Sequence, residues 1–334
     1  MIVNNETVSI NYRSRTIDKS NKKILITNLL SSEQEKDLTI PPNCRGYGRI
    51  RHFRRGTGEF WPENPLPIDP AVKALKLQKK PKVLEAQVFQ TASCNWRCWY
   101  CFVPYNLLSA NKEYSSWLSP DELIDFYLEE ENRPSIIDLS GGQPELVPEL
   151  VLWTMEALTA RKLEEKVFLW SDDNLSNDFF WRYLSTNEVN TITSYKNYSR
   201  VGCFKGFDEK SFSFNTNADP KLFDQQFELM KKYIETGINM YAYTTFTFIG
   251  DDKDLNYKMK TFIDRLQTID ENLPLRTIPL EIFPFSTVKP RINNMHEVAI
   301  QNQYKAILLW NDELKQRYNS ELLKSNIADV PIKK

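Results

Sequence analysis

The chain has 334 residues, which is enough for one large α/β domain with extensions or for two domains. Its 43 Lys and Arg residues are balanced by 44 Asp and Glu residues, so charge gives no global argument for a nucleic-acid partner or an anionic membrane. The sequence has neither a signal-peptide pattern nor a run of about 18 apolar residues, and we expect a cytoplasmic protein without a membrane partner.

Residues 1–82 are predicted to form an irregular N-terminal extension. Residues 24–29 are apolar enough for one short strand, and four prolines between residues 62 and 70 predict an extended segment rather than a helix. Residues 43–55 contain five arginines, whose forked side chains suit phosphate or carboxylate. A nucleotide or nucleic-acid substrate would fit them, although a solvated loop with local ion pairs is the commoner outcome for such a run of charge.

From residue 83 onward, predicted strands alternate with predicted helices. The six strands are expected at residues 83–90, 135–139, 167–170, 200–204, 238–249 and 275–285. Apolar residues spaced three and four apart predict the helices, and the last of these covers residues 297–318. Six alternations favour a parallel sheet, because sequential parallel strands need crossover helices. Such sheets carry their chemistry at the carboxyl ends of the strands.

The first of these strand ends carries the sequence TASCNWRCWYCFVP, residues 91–104. Three of the five cysteines, Cys94, Cys98 and Cys101, lie in it at C-x3-C-x2-C spacing. A redox pair needs no third cysteine, and a structural zinc site needs four ligands. An iron–sulfur cluster normally takes four cysteines, so three in one loop suggest a cluster with one iron left open. The loop by itself leaves zinc, a redox pair and a cluster as alternatives.

This spacing after a first strand, with the aromatic Tyr100 before the last cysteine, resembles the radical S-adenosylmethionine (SAM) superfamily. The resemblance implies an α/β fold with an incomplete (β/α)6 barrel over residues 83–285 and a C-terminal helical segment over residues 286–334. It also implies a [4Fe-4S] cluster on the three cysteines, SAM on the fourth iron, and an external electron donor such as flavodoxin or ferredoxin. In that superfamily, reductive cleavage of SAM gives a 5′-deoxyadenosyl radical that abstracts hydrogen from the substrate. Tyr100 lies where the family's aromatic residue contacts the adenine.

Gly141, Gly142, Gln143 and Pro144, at the end of the second strand, resemble the family's GGEP motif. Two glycines let backbone carbonyls approach the methionyl ammonium of SAM closely. The departure is Gln143, where the family usually has glutamate. Gln should serve if backbone atoms bind SAM, whereas binding would be weaker if the carboxylate orders the loop. Alone the sequence is an ordinary turn, but its position one strand after the cysteines favours a SAM site.

Further SAM contacts are expected at two other strand ends. Ser171 and Asp172 close the third strand, where the family keeps polar residues against SAM, although such residues often only form turns or caps. Thr245 and Thr247 on the fifth strand lie near the family's adenine-binding motif, of which residues 249–252 (IGDD) could be a remnant. Ordinary β-branched packing explains these threonines equally well.

The fourth strand is distantly similar in layout to the glycyl-radical-enzyme activases, which carry Asp-x-Lys there. This chain keeps the lysine, Lys205, and has Cys203 in place of the aspartate. It lacks the activases' basic residue on strand five and their histidine after strand six, which predicts a different substrate. Lys205 is a candidate to pair with an anionic substrate group. Cys203 is a candidate hydrogen-atom donor to a product radical, although a free cysteine is more often a core residue.

The expected function is therefore hydrogen abstraction from an unidentified substrate, anionic or nucleotide-like. Activation of a partner glycyl-radical enzyme is the first alternative. A non-catalytic iron–sulfur or zinc protein is the second, and it would use the same three cysteines without cleaving SAM.

Overall fold

A computed structural model describes residues 4–250 and 253–333 of the chain. The strands in these residues are β1 (Ile17–Asp18), β2 (Lys23–Thr27), β3 (Gly48–Arg54), β4 (Val83–Gln90), β5 (Ser115–Leu118), β6 (Ile136–Ser140), β7 (Phe168–Asp173), β8 (Tyr198–Phe204), β9 (Met240–Thr245) and β10 (Thr277–Leu280). The α-helices are α1 (Asn5–Thr16), α2 (Ile68–Ala74), α3 (Pro120–Glu129), α4 (Glu149–Ala160), α5 (Phe179–Tyr183), α6 (Thr186–Ser194), α7 (Glu209–Thr216), α8 (Leu222–Thr236), α9 (Leu255–Ile269), α10 (Asn294–Arg317) and α11 (Ser320–Lys324).

One curved sheet of seven strands organises the fold, in the order β10-β9-β8-β7-β6-β4-β3. The strands from β10 to β4 pair with their neighbours in parallel, and β3 lies antiparallel to β4 at one edge. Because each parallel strand lies beside the next one in the chain, the helices between them serve as crossovers. The predicted six-stranded parallel sheet is confirmed, and β3 extends it by one antiparallel strand.

Side chains alternate between the two faces of this sheet, since successive residues of a strand point in opposite directions. On the outer face, Leu139 and Leu169 belong to the large apolar core beneath the crossover helices. On the inner, concave face, Trp170 and Val201 pack with Leu66 of the N-terminal region. The direction in which a strand residue points therefore decides whether it reaches the helices or the interior.

Local sequence signals set the predicted helix boundaries. Ser119 caps α3: its hydroxyl accepts from the Glu122 backbone N–H at 3.2 Å, and the Glu122 carboxylate accepts from the Ser119 backbone N–H at 2.8 Å. Gly237 ends α8 in the left-handed conformation, with φ of +98°. Both helix ends are therefore specified by local sequence.

The prediction that residues 1–82 are irregular is wrong. Within the described part of this region lie α1, α2 and three strands, and β1 and β2 form a separate three-stranded sheet with β5. Strand β3 has the sequence GRIRHFR, in which arginine and histidine interrupt the apolar pattern of a buried strand. Its pairing with β4 therefore depends on tertiary contact, which the local sequence does not reveal.

Two helix boundaries also differ from the sequence-based prediction. Residues 68–70, predicted to be extended, begin α2, and Pro70 lies in its first turn, where no intrahelical N–H donor is needed. The last long helix, predicted at residues 297–318, is α10, which begins at Asn294 and ends at Arg317. Among the described residues, no helix combines the length and the apolar character needed to cross a membrane.

A buried ion pair fixes α1 against α4. Arg13 donates to the two Glu149 carboxylate oxygens at 2.8 and 2.5 Å, and to the Leu146 carbonyl at 3.2 Å. Its guanidinium lies 3.7 Å from the centroid of the Tyr183 ring. Arg13 is 7% exposed and Glu149 is 1% exposed, so water cannot replace either partner.

We expect Arg13→Met to lower the free energy of unfolding by roughly 3–5 kcal/mol, because Glu149 would remain as an unpaired buried charge. Lys22→Met is the matched control. Lys22 pairs with Glu156 at 2.9 Å on the surface, with side-chain exposures of 58% and 47%, and such pairs contribute about 0–1 kcal/mol. Urea denaturation followed by circular dichroism measures both variants. Equal losses would contradict a docked N-terminal helix.

Candidate functional site

A cavity of about 480 Å³ opens at the carboxyl ends of the parallel strands. This volume falls in the range of small-molecule sites, roughly 300–1,000 Å³. The predicted site residues that line the cavity are Cys94, Cys98, Tyr100, Cys101, Gly141, Gly142, Gln143, Asp172, Cys203 and Lys205. The predicted residues Pro144, Ser171, Thr245 and Thr247 lie outside the cavity lining. The fold thus brings together residues from four strand ends that are far apart in the sequence.

The cysteine loop that follows β4 is held by its backbone. The Tyr105 hydroxyl donates to the Arg97 and Cys98 carbonyls, both at 3.0 Å, and Arg291 donates to the Cys101 carbonyl at 2.6 Å. All five cysteines of the chain are free of disulfides. Loop position is therefore fixed without the sulfur atoms, which leaves the three thiols available as metal ligands.

The three thiols can be compared with the two kinds of metal site that cysteines form. A structural zinc site needs four ligands that converge on one point at about 2.0–2.3 Å. An iron–sulfur cluster binds each cysteine at a different iron, so three cysteines leave one iron open. The cysteine loop supplies three thiols and no fourth ligand, which fits a cluster with an open iron.

The three cysteines are partly buried in the wall of the cavity. Burial raises the pKa of the Cys94 thiol, and it raises the pKa of Cys98 to about 12. Asn174 lies close, with its side-chain nitrogen 3.7 Å from the Cys94 sulfur. Exclusion of water from a thiolate-bound metal centre is one of the ways a protein controls its reactivity.

The two glycines after β6 bring a second loop against the cysteine loop. Gly141 has φ of +89°, which side-chain-bearing residues rarely adopt. A Cβ on Gly142 would lie 2.4 Å from the Ser93 carbonyl oxygen, so no other residue fits there without displacing the backbone. The Gln143 backbone N–H donates to that same carbonyl at 2.8 Å. Pro144, by contrast, is buried and starts a short 3-10 turn.

The structure accounts for glutamine at position 143. The Gln143 side chain donates to the Asp173 carboxylate at 2.8 Å and accepts from the Asn174 backbone N–H at 2.9 Å. All of this lies in buried surroundings, with Gln143 1% exposed and Asp173 fully buried. A glutamate here would set two carboxylates against each other. Gln143 therefore joins the ends of β6 and β7.

Asp172 and Ser171 point to opposite faces of β7, because they are adjacent in one strand. Asp172 lines the cavity and accepts hydrogen bonds from Ser140 at 2.6 Å and Trp170 at 3.1 Å. Ser171 is fully buried, and its hydroxyl hydrogen bonds to that of Tyr198 at 2.8 Å. Ser171 therefore lies outside the cavity lining, on the opposite face of the strand from Asp172, and its predicted contact with SAM stays a prediction.

Tyr100 and the two threonines of the fifth predicted strand occupy different places. Tyr100 lines the cavity, and its hydroxyl lies 3.3 Å from that of Thr245, which is itself buried. Thr247 donates to the Asn215 side-chain oxygen at 2.8 Å. Thr247 therefore packs with α7 rather than facing the cavity. Residues 251 and 252 of the IGDD sequence lie outside the described residues.

Lys205 and Cys203 share the inner face at the end of β8, as their spacing predicts, and both line the cavity. Burial lowers the pKa of Lys205, whereas the negative charge that Cys203 and Tyr100 carry when ionised raises it, and the net shift is above the ordinary value. Burial raises the pKa of Cys203 to about 12, so it remains a thiol at neutral pH. In the described part of the chain, no carboxylate forms an ion pair with Lys205.

The sequence analysis missed one carboxylate, Asp138. It also could not tell which of the five arginines of residues 43–55 would form ion pairs. Arg51 on β3 reaches the Asp138 carboxylate at 3.0 Å and the Asp172 carboxylate at 3.4 Å. Burial and then Asp172 raise the pKa of Asp138, although Arg51 lowers it. A lone aspartate in the apolar run of β6 was the available signal. No local pattern indicated that the Arg51 side chain on β3 would extend past β4 to reach Asp138 on β6.

Gln143→Glu is expected to destabilise the folded protein by about 3–5 kcal/mol at neutral pH, since it buries a second carboxylate beside Asp173. Asp173→Asn in the same chain should restore most of the loss, because an amide can donate to the new carboxylate. Thermal denaturation of the two single variants and the double variant measures the coupling. Additive losses would show that Gln143 and Asp173 do not interact.

No family model and none of the curated proteins matches this chain. Solved structures that resemble it include Streptococcus suis SuiB bound to the precursor peptide SuiA, with 15% identity and a TM-score of 0.39 over 55% of this chain and 36% of that chain. The structure of SuiB bound to S-adenosylmethionine has 16% sequence identity and a TM-score of 0.39, over 55% of this chain and 37% of that chain. The matched region thus spans little more than a third of SuiB. A likeness this low determines neither a family nor a function.

Proposed function

We propose that this protein is a radical SAM enzyme, with a [4Fe-4S] cluster on Cys94, Cys98 and Cys101. The observation that carries the proposal is the shared cavity: the three cysteines line it together with the Gly141–Gly142 turn, at the carboxyl ends of consecutive parallel strands. C-x3-C-x2-C spacing alone leaves other metals open. The three cysteines of one loop, together with the glycine turn beside them, favour a cluster with an open iron.

SAM is the cofactor that this site would hold beside the cluster. When bound, the cluster and SAM together would supply a carbon-centred radical able to remove hydrogen from an unactivated position. The chain's own contribution is to place and enclose that reagent. Gly141 and Gly142 offer backbone atoms without side-chain obstruction, and Tyr100 offers a ring beside the cysteines.

The residues at the end of β8 are proposed to act on the substrate. Lys205, cationic and without a carboxylate partner in the described residues, would pair with an anionic group. Cys203 lines the cavity with its thiol protonated and is 8% exposed, so it would be able to donate a hydrogen atom to a product radical. The substrate itself stays unidentified, and a cytoplasmic location and an external donor such as flavodoxin or ferredoxin belong to the proposal.

The alternatives receive less support. A structural zinc site needs four ligands, and the cysteine loop supplies three. Activation of a glycyl-radical enzyme stays a prediction, and no contact among the described residues favours it over hydrogen abstraction from a small substrate.

The proposal predicts that the protein, reconstituted without oxygen, takes up about four iron and four sulfide and absorbs at the blue edge of the visible. Cys94→Ala, Cys98→Ala and Cys101→Ala should each reduce iron content and abolish reductive formation of 5′-deoxyadenosine from SAM. Cys44→Ala is the matched control, because Cys44 is a buried free cysteine outside the cavity lining. Stoichiometric zinc, no sulfide and no SAM cleavage would overturn the proposal.

The role of Cys203 can be tested without knowing the substrate. In D2O its thiol exchanges to S–D, so 5′-deoxyadenosine formed by uncoupled SAM cleavage should carry deuterium. Cys203→Ala should lower the deuterated fraction several-fold, whereas Cys44→Ala should leave it unchanged, as measured by mass spectrometry. Equal deuteration of wild-type and Cys203→Ala protein would assign Cys203 to packing alone.

A further inference from the structure

Arg49, on strand β3, is a buried guanidinium in the wall of the cavity. It is 7% exposed, and its Nε lacks a hydrogen-bond partner. Its guanidinium lies over the face of Phe102, whose ring centroid is 5.3 Å away, and it forms no ion pair with a carboxylate of the described residues. A buried guanidinium with an unsatisfied N–H costs free energy, which makes such a residue uncommon unless a ligand completes its hydrogen bonds.

The other arginines of residues 43–55 are accounted for. Arg45 pairs with Glu129 at 2.6 Å on the surface, and Arg55 pairs with Asp69. Arg51 reaches Asp138 and Asp172. Arg54 lines the cavity but is exposed, so water can hydrate it. Arg49 is the member of the group that is both buried and without a carboxylate partner among the residues described.

The surroundings of Arg49 favour an anion. Burial and then the neighbouring Arg51 lower its pKa to about 10, although Asp138 and Asp172 raise it. Those two carboxylates form their ion pairs with Arg51 rather than with Arg49, so two guanidinium groups share them and the Nε of Arg49 has no hydrogen-bond partner. A guanidinium fork is suited to bind the two oxygens of a carboxylate or phosphate at once.

The position of Arg49 separates it from the Lys205 side of the cavity. Strand β3 is the sheet edge next to β4, and three strands lie between β3 and β8, which carries Lys205. Phe102 directly follows Cys101, so Arg49 lies at the cysteine-loop end of this wall. A ligand anchored at Arg49 would therefore extend across the cavity towards Cys203 and Lys205.

We propose that Arg49 is the anchor of an oxyanion subsite, which binds a phosphate or carboxylate group of the substrate. Identifying that ligand as the substrate rests on the proposed function, whereas the subsite itself does not. The N-terminal region would then supply the specificity-determining residue of the site, through the strand that it adds to the sheet.

Inorganic phosphate and succinate, each titrated into the unreconstituted protein, test the subsite. Binding is followed by calorimetry and by the increase in melting temperature. We expect wild-type protein and the control Arg45→Met to bind at least one of the two anions, and Arg49→Met to bind it about tenfold or more weakly. Arg49→Met should itself be close to wild type in stability, since it removes a buried N–H without a partner and keeps the apolar stem. Loss of folding in Arg49→Met would be checked with Arg49→Lys, which should retain weaker binding.

SAM carries a carboxylate too, and a second measurement separates it from the substrate. On the reconstituted enzyme, equilibrium dialysis should give SAM dissociation constants for Arg49→Met and Arg45→Met within about twofold of each other. A selective loss of SAM affinity in Arg49→Met would place the SAM carboxylate at Arg49 and overturn the proposal. Equal anion binding by wild-type and Arg49→Met protein would overturn it as well. A protein that fails to assemble a cluster yet binds anions through Arg49 would contradict the proposed function and leave the subsite standing.

Discussion

The site depends on the register in which β4 pairs with β6, because both strands end at the same position along the sheet. Gln90 lies opposite Ser140 at the last rung of the pair, so the two chains leave the sheet side by side. Three residues later the Gln143 backbone N–H donates to the Ser93 carbonyl at 2.8 Å, and Gly142 lies too close to that carbonyl to carry a Cβ. The cysteine loop and the glycine turn therefore cannot move independently. Any ligand held between them meets a preformed pair of backbone surfaces.

Several charged side chains lie at the same edge of the sheet, and most of them are held by ion pairs or hydrogen bonds. Arg51 lies between Asp138 and Asp172, and Gln143 holds Asp173 through an amide rather than a carboxylate. Side chains held in this way cannot reorganise freely when a ligand enters, which keeps the cavity wall polar but rigid. Against this fixed background, Lys205 and Arg49 line the cavity without an ion-pair partner among the described residues, one at each side of the cavity.

The sequence predicted the parallel strands well because each is a short apolar run bounded by turn or cap residues. The capping box at Ser119 and the left-handed Gly237 are local interactions, and local sequence is enough to specify them. Prediction failed where structure came from a distant partner. Strand β3 is a strand because β4 offers it an open edge, and its arginines conceal the pattern by which strands are recognised. Sequence alone also does not show that Ser171 and Asp172 point to opposite faces of the sheet relative to the cavity, because one position along a strand reverses the face on which a side chain lies.

The sequence by itself determined the donor chemistry: the spacing of Cys94, Cys98 and Cys101, the two glycines one strand later, and the strand ends on which they lie. Only the tertiary structure decided which charged side chains remain available. Arg51 finds its carboxylates 87 and 121 residues away, across neighbouring strands, and Arg49, two positions earlier in the same strand, finds none among the residues described. The physical reason is that ion pairing depends on which strands become neighbours in the sheet. Two arginines in one short segment look alike in the sequence, whichever strands lie beside them in the fold.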